Sequence, residues 1–438
     1  MHGFDALVRK GPLDLRIVKF KCKFTIGVMI DMDFEYSKKT KELLLVLQDF
    51  MDEYVIPNEQ CYRDQISASG NPHSHPPIME TLKAEARSRG LWNLFLPDPT
   101  FGAGLTNLEY APLAELSGWS PIAPEAMNCA APDTGNMEIL SLFGTQEQKD
   151  RWLIPLLEGR IRSCFSMTEP EVASSDATNI RTRIVREGNE LVINGHKWFT
   201  SGASRESCRF AIVMGVHEGD AQGSHHGHSM VIVLIDTPGV EIERTLTVFG
   251  NEAQHGHCEV FYRDARVPIS NLLGKEGDGF AISQARLGPG RIHHSMRAIG
   301  MAERALSLMC RRAHERSTFG KPLAEQGVVQ DWIAESRMMI EQTRLMVLKT
   351  AWLMDTVGNR GARTEISAIK VMAARTARWV VDRAIQVHGA AGVTQDLPLA
   401  HMFTATRTMQ IADGPDEVHK RGLALRELRQ YEHSVAGS

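Results

Sequence analysis

A mostly helical α+β fold, with a small β-domain between two helical ones, is what this 438-residue chain predicts. Three observations carry the expectation. Apolar residues recur at helical spacing through the first and last thirds of the chain. The middle instead holds short runs of β-branched and aliphatic residues, the first of them parted by Gly188-Asn189 and Asn194-Gly195 turn pairs. No internal repeat interrupts that order. The expected organisation is a poorly ordered extension over residues 1–34, an N-terminal helical domain over 35–162, a β-barrel-like domain over 163–272 and a C-terminal four-helix bundle over 273–438.

The elements follow in chain order. Leu43, Leu44, Val46, Leu47, Phe50, Met51, Tyr54 and Val55 mark a first helix, which Pro57 ends. A polar break over 67–77 precedes helical text at 78–89, 107–117 and 146–157. Strands are expected at 180–185, 191–193, 210–214 and 230–235, with another pair near 240–246 and 258–262. Long amphipathic helices return at 281–287, 292–316, 328–357, 364–388 and 415–431.

Composition removes several classes of function. The apolar and charged fractions, 43% and 23%, are those of an ordinary globular protein with a large core. A net charge of −4 gives no electrostatic reason to expect nucleic acid. Seven scattered cysteines without a CxxC pair argue against a zinc site or a disulfide scaffold. They suit a reducing compartment, the cytoplasm for a bacterial protein and the mitochondrion or peroxisome for a eukaryotic one. No apolar run is long enough to span a bilayer. The run His225-His226-Gly227-His228 reads as a solvated loop before it reads as a metal site, so no metal is expected.

Four stretches carry chemistry. In the first, Phe165, Met167 and Thr168 lead from a short strand into a turn holding Ser174, Ser175 and Asp176. Such a turn presents N–H and hydroxyl groups to a flat ring or a phosphate, and equally fits a capped loop opening a β-domain. In the second, Trp198 and Thr200 follow the Asn194-Gly195 hairpin turn. Third come Arg316 and Phe319 at the end of a long helix, with Gln386 and Gly389 at the end of another. The fourth runs from Met409 through Asp413 and Gly414 to His419. There a single carboxylate stands between an apolar run and a Gly-Pro turn, where a base in a mostly dry pocket would be placed. Asp413 could also cap the following helix.

Taken together and in this order, the four stretches resemble the acyl-CoA dehydrogenases, a flavoenzyme family, over nearly all of the chain after residue 40. The resemblance implies that Phe165, Met167, Thr168, Ser174, Trp198 and Thr200 contact FAD. It implies that Arg316, Phe319, Gln386 and Gly389 reach the cofactor of a neighbouring subunit, in a homodimer or homotetramer. Ala390 replaces the second Gly of the last motif. Ser175, Arg291 and Gly414 are implied to contact an acyl-CoA substrate. Asp413 then aligns with the family's catalytic base, where Glu is usual, with a reach shorter by about 1.5 Å. Burial is expected to raise its pKa toward working pH. The implied reaction is α,β-dehydrogenation to the trans-2-enoyl-CoA, with electrons passed to an electron-transferring flavoprotein. The Ala-Asp-Gly-Pro-Asp-Glu-Val-His string is most similar to a subgroup associated with long or branched acyl chains. Two rival readings share the fold: a flavin oxidase acting on nitroalkanes or acyl-CoA, and a DNA-binding relative that would need a basic face.

Overall fold

The alternation of apolar residues in the middle third explains how three layers come to share one framework. In the computed structural model, which describes residues 35–217 and 227–432 and the backbone of two short paired strands, Phe20–Lys23 and Met29–Met32, that third forms a single eight-stranded sheet. The expectation for residues 1–34 otherwise lies outside the described residues. The strands are β1 (Arg162–Ser166), β2 (Arg183–Glu187), β3 (Glu190–Ser201), β4 (Cys208–His217), β5 (His228–Leu234), β6 (Val240–Leu246), β7 (His257–Pro268) and β8 (Leu272–Leu273). The sheet runs β8-β5-β4-β2-β3-β7-β6, with β1 pairing parallel to β4. Successive strand side chains point to opposite faces. Phe210, Ile212 and Met214 of β4 and Met230 and Ile232 of β5 therefore enter the large core shared with the helices. Their neighbours Ala211, Val213, Val231 and Val233 close a second core inside the sheet domain.

The N-terminal helices are α1 (Lys38–Phe50), α2 (Glu59–Ser69), α3 (Pro77–Ser88), α4 (Asn107–Ser117), α5 (Asp133–Phe143) and α6 (residues 146–157, with one π-turn). Sequence signals set their starts. Thr106 caps α4 through a reciprocal bond pair with Glu109, and Thr145 does the same for α6 with Gln148. The C-terminal domain comprises α7 (Gly279–Glu315), α8 (Gly327–Gly361), α9 (Arg363–His388), α10 (Leu399–Met409) and α11 (Asp416–Arg429). Among the described residues no helix is long and apolar enough to cross a membrane.

Helix α2 was not expected after Pro57, and two other departures have a plain physical cause. Helices expected at 281–287 and 292–316 are one continuous helix, α7, with Pro289 inside it. Proline costs an interior hydrogen bond. Here Ile282, Ser283 and Arg286 before it and Ile292, Met296 and Ile299 after it are all buried, so tertiary packing holds the helix through that defect. The second departure is α5, which the periodicity did not announce. Most of its length is buried on every side, so no amphipathic stripe exists to be read. His225 and His226 lie outside the described residues. His228, expected in a solvated loop, is buried at the start of β5.

Candidate active site

Asp413 occupies the connection between α10 and α11, in the left-handed region at φ 55°, followed by Gly414 at φ 101°. An L-residue rarely rests there, so neighbours must hold it. They do. Arg291 Nε donates to the Asp413 carbonyl at 3.1 Å, and His419 Nε2 lies 3.1 Å from the same oxygen. Lys370, buried on α9, donates to the Met409 carbonyl at 2.5 Å and the Gly414 carbonyl at 3.1 Å. The connection is thus tied to α7, α9 and α11. Asp413 is not the cap of α11; Pro415 takes that position, and Asp416 and Glu417 are the acids of its first turn.

The Asp413 carboxylate faces α7. Its Oδ2 lies 3.6 Å from His294 Nε2, and its side chain is 23% exposed. Burial pushes this carboxyl up, but the His294 imidazole facing it and the charges of Arg286, Arg291 and Lys370 outweigh burial and hold it below the usual carboxylate range. That corrects the expectation of a raised pKa. A dry pocket was foreseen; the cations that converge on it from α7 and α9 were not. Burial pays against these cations too: it lowers Arg286 to about 10 and also lowers Arg291 and Lys370.

Arg286 links this carboxylate to β1. Its guanidinium carbon lies 3.8 Å from the centre of the Phe165 ring, its Nε donates to Asn136 Oδ1 at 3.0 Å, and its stem lies against Gly135. Phe165, Arg286, Arg291 and Asp413 therefore surround one site.

Beside it, the turn after β1 is locked from below. Lys197 is fully buried and donates to the Met167 carbonyl and to Glu169 Oε1, both at 2.9 Å. Burial lowers Lys197 to about 8, against the pull of Glu169. Glu169 also accepts from the Arg181 and Thr182 N–H groups and the Thr182 hydroxyl. The Trp198 backbone N–H donates to the Thr168 carbonyl at 3.0 Å. Ser174 is engaged inside the turn, accepting from the Glu169 N–H at 2.8 Å; Ser175 is exposed.

A register shift in β3 between Lys197 and Thr200, with Phe199 at φ 51°, turns the next residues over. As a result Thr200 is buried, its hydroxyl 3.1 Å from that of Ser166, which in turn accepts from Tyr262. Phe199, edge-on to the Trp198 ring, is 42% exposed.

Arg316, Phe319, Gln386 and Gly389 form a separate group where the C-terminal ends of α7 and α9 come together. Charges of Arg312 and Glu315 on α7 reach His388 on α9. Phe319 is 98% exposed at the tip of a two-residue turn, at φ 49° beside Gly320 at φ 80°. Gly389 ends α9 at φ 64° with open space on its Cβ side.

The comparisons with known proteins agree with this geometry. Models of the acyl-CoA dehydrogenase N-terminal, middle and C-terminal domains match residues 37–160, 164–265 and 277–428. The chain belongs to the acyl-CoA dehydrogenase family. It is 58% identical over 409 residues to "Probable acyl-CoA dehydrogenase FadE2" of Mycobacterium tuberculosis, covering 93% of this chain and 100% of that one. It is 50% identical over 401 residues to human "Acyl-CoA dehydrogenase family member 11", covering 90% of this chain and 51% of the relative. The chain thus spans about half the length of that animal protein. Among solved structures, a Mycobacterium abscessus protein described as a candidate acyl-CoA dehydrogenase superposes with a TM-score of 0.88 at 48% identity, covering 91% of this chain and all of that one. Butyryl-CoA dehydrogenase of Megasphaera elsdenii superposes at 0.77 and 25%, with the same coverage.

The protein is accordingly an oxidoreductase that dehydrogenates acyl-CoA with FAD as cofactor. The residues present fit a flavin. The Trp198 indole N–H is buried without a protein acceptor beside the locked Met167-Thr168 turn, and a buried donor of that kind is stable only with a partner.

Proposed function

We propose that this chain converts an acyl-CoA to its trans-2-enoyl-CoA with Asp413 as the base that removes the α-proton, and that electrons leave through an electron-transferring flavoprotein. The observation that carries the reading is Asp413 itself. It is held in a left-handed backbone by Arg291, His419 and Lys370 and carries a half-buried carboxylate that shares a site with Phe165. A carboxylate kept below its usual pKa is ionised at neutral pH and ready to accept a proton.

It is also a weak base, so the α-proton must be made acidic. The Asp413 backbone N–H is the donor that would polarise the thioester carbonyl, together with a ribityl hydroxyl of the cofactor. The buried cations Arg286 and Arg291 favour negative charge developing on the substrate. When bound, FAD supplies the two-electron acceptor for the hydrogen leaving the β-carbon. Trp198, Met167 and Thr168 would hold it, and Arg291, Ser175 and Gly414 would contact the acyl-CoA. Phe319 on its exposed turn, with Arg316, Gln386 and Gly389, would reach the cofactor of a second copy. A large apolar ring standing 98% exposed supports that contact. One solved neighbour at 26% identity comes from work on the electron-transferring flavoprotein of Acidaminococcus fermentans, which supports the choice of electron acceptor.

The test is anaerobic titration of the flavin-loaded protein with a panel of acyl-CoAs from short to very long, branched chains included. Bleaching of the flavin, followed by slow recovery in air and fast recovery with an electron-transferring flavoprotein, is the expected result. Fast recovery in air would assign an oxidase instead. Bleaching by nitroalkanes alone would overturn the acyl-CoA reading.

A further inference from the structure

Three residues stand at successive three-residue steps on α7, and each meets a different part of the base's surroundings. Arg291 holds the Asp413 carbonyl. His294 faces the carboxylate, at 3.6 Å from Oδ2. Arg297 reaches His294 Nδ1 at 3.5 Å and the Cys129 carbonyl at 3.3 Å. Residues at i and i+3 are neighbours on a helix surface, so the row forms a ladder along one face.

The order of the ladder fixes the state of the imidazole. Arginine can only donate, so the nitrogen facing Arg297 must accept. That makes Nδ1 the acceptor and puts the proton of a neutral ring on Nε2, the atom turned toward Asp413. The surroundings reinforce this. Arg286, His293 and Arg297 of α7 and Lys370 of α9 act on the ring, with Asp413 the opposing anion, while Arg291 and His419 of α11 stand at the Asp413 carbonyl. Burial, followed by the charge of Arg297, lowers His294 to about 4.

We propose that His294 is the positioning residue of the base: pinned by Arg297 through Nδ1, it directs Nε2–H at Oδ2 of Asp413 and leaves the other carboxylate oxygen to meet the α-proton. The inference rests on the reading of Asp413 as base. The gap of 3.6 Å exceeds a hydrogen bond, and one closes in the substrate complex, where catalytic contacts tighten as water leaves. An aspartate has a shorter reach than a glutamate and less freedom to find its own orientation, so a fixed donor on one oxygen decides where the other points. The neutral ring adds this direction without adding a further cation to a site that already contains several.

The experiment is rapid anaerobic mixing of the flavin-loaded enzyme with its best acyl-CoA between pH 5 and 9, following flavin bleaching. It is run for the wild type and for His294→Leu, His294→Gln and Asp413→Asn, with flavin content and Tm as folding checks. The wild type is expected to be flat across the range, because Asp413 is ionised and His294 neutral throughout. Loss of the N–H donor raises the pKa of Asp413. His294→Leu should therefore bleach 10- to 100-fold more slowly, and its acid limb should move up far enough that the rate falls toward pH 5, where the wild type stays flat. Gln keeps an N–H donor at nearly the same reach, so His294→Gln should recover most of the rate and the flat profile. Equal slowing in Leu and Gln variants with an unmoved profile would overturn the inference, leaving His294 as bulk alone. So would a wild-type rate in His294→Leu while Asp413→Asn is inert. Bleaching by Asp413→Asn at the wild-type rate would instead overturn the assignment of the base.

Discussion

Gly414→Ala tests whether the backbone around Asp413, and not the carboxylate alone, sets the reaction. Gly414 stands at φ 101°, a conformation L-residues rarely adopt, and a Cβ built there would lie 2.9 Å from His419 Nε2. Holding alanine in that region costs about 1–3 kcal/mol. Relieving the contact moves His419 off the Asp413 carbonyl and forfeits a hydrogen bond worth about 1 kcal/mol net. The sum, about 2–4 kcal/mol, falls on the few residues that aim the carboxylate. If it appears in the barrier, flavin bleaching slows roughly 30- to 1,000-fold. The groups around the flavin, Phe165, Met167 and Trp198, belong to the sheet domain, so bound flavin should be retained. The assay is stopped-flow bleaching by an acyl-CoA, with Gly70→Ala as control. Gly70 also has a positive φ, 67°, but open space at its Cβ, so the control carries strain without displacing a catalytic neighbour. A Gly414→Ala enzyme that bleaches at the wild-type rate would refute the reasoning.

Two further predictions concern buried charge. Lys197→Met leaves Glu169 ionised, 2% exposed and without its cation, which should cost about 3–5 kcal/mol, lower the Tm and loosen the flavin; unchanged melting and flavin retention would contradict this. Glu138 on α5 is buried with one unpartnered oxygen, and burial raises its carboxyl to about 8 against the pull of Arg286. Its folded pKa exceeds its unfolded one, so the folded state keeps a proton that the unfolded chain gives up, and its contribution to stability falls as pH rises from about 4.5 to 8. The Tm of Glu138→Gln should therefore gain on that of the wild type between pH 5 and 8; parallel curves would contradict the shift.

Local rules made much of the fold legible. The strands at 210–214 and 230–235 were readable because their alternate residues serve two different cores. The helix over 107–117 forms where it was expected, and the capping box of Thr106 and Glu109 fixes its start. What local rules could not show is convergence. Arg291 and His294 on α7, Lys370 on α9 and His419 on α11 meet Asp413 only through the packing of the bundle. The sign of the shift at Asp413 therefore reversed once its neighbours were in place. Glu169 and Lys197 each stood inside a stretch that had been singled out, but nothing in either marked them as partners across 28 residues. The inward turn of Thr200 depends on a one-residue irregularity in β3, and alternation cannot foresee a bulge. Pro289 misled in the opposite sense: it is a strong local signal that packing on both sides overrides.

The central assignment is Asp413 as the acceptor of the α-proton. The direct test is the rate of anaerobic flavin reduction by an acyl-CoA carrying deuterium at the α-carbon, in the wild type and in Asp413→Asn with full flavin content. A clear slowing by deuterium in the wild type, with no reduction in the variant, is the predicted result. Reduction of the Asp413→Asn flavin at the wild-type rate would contradict it.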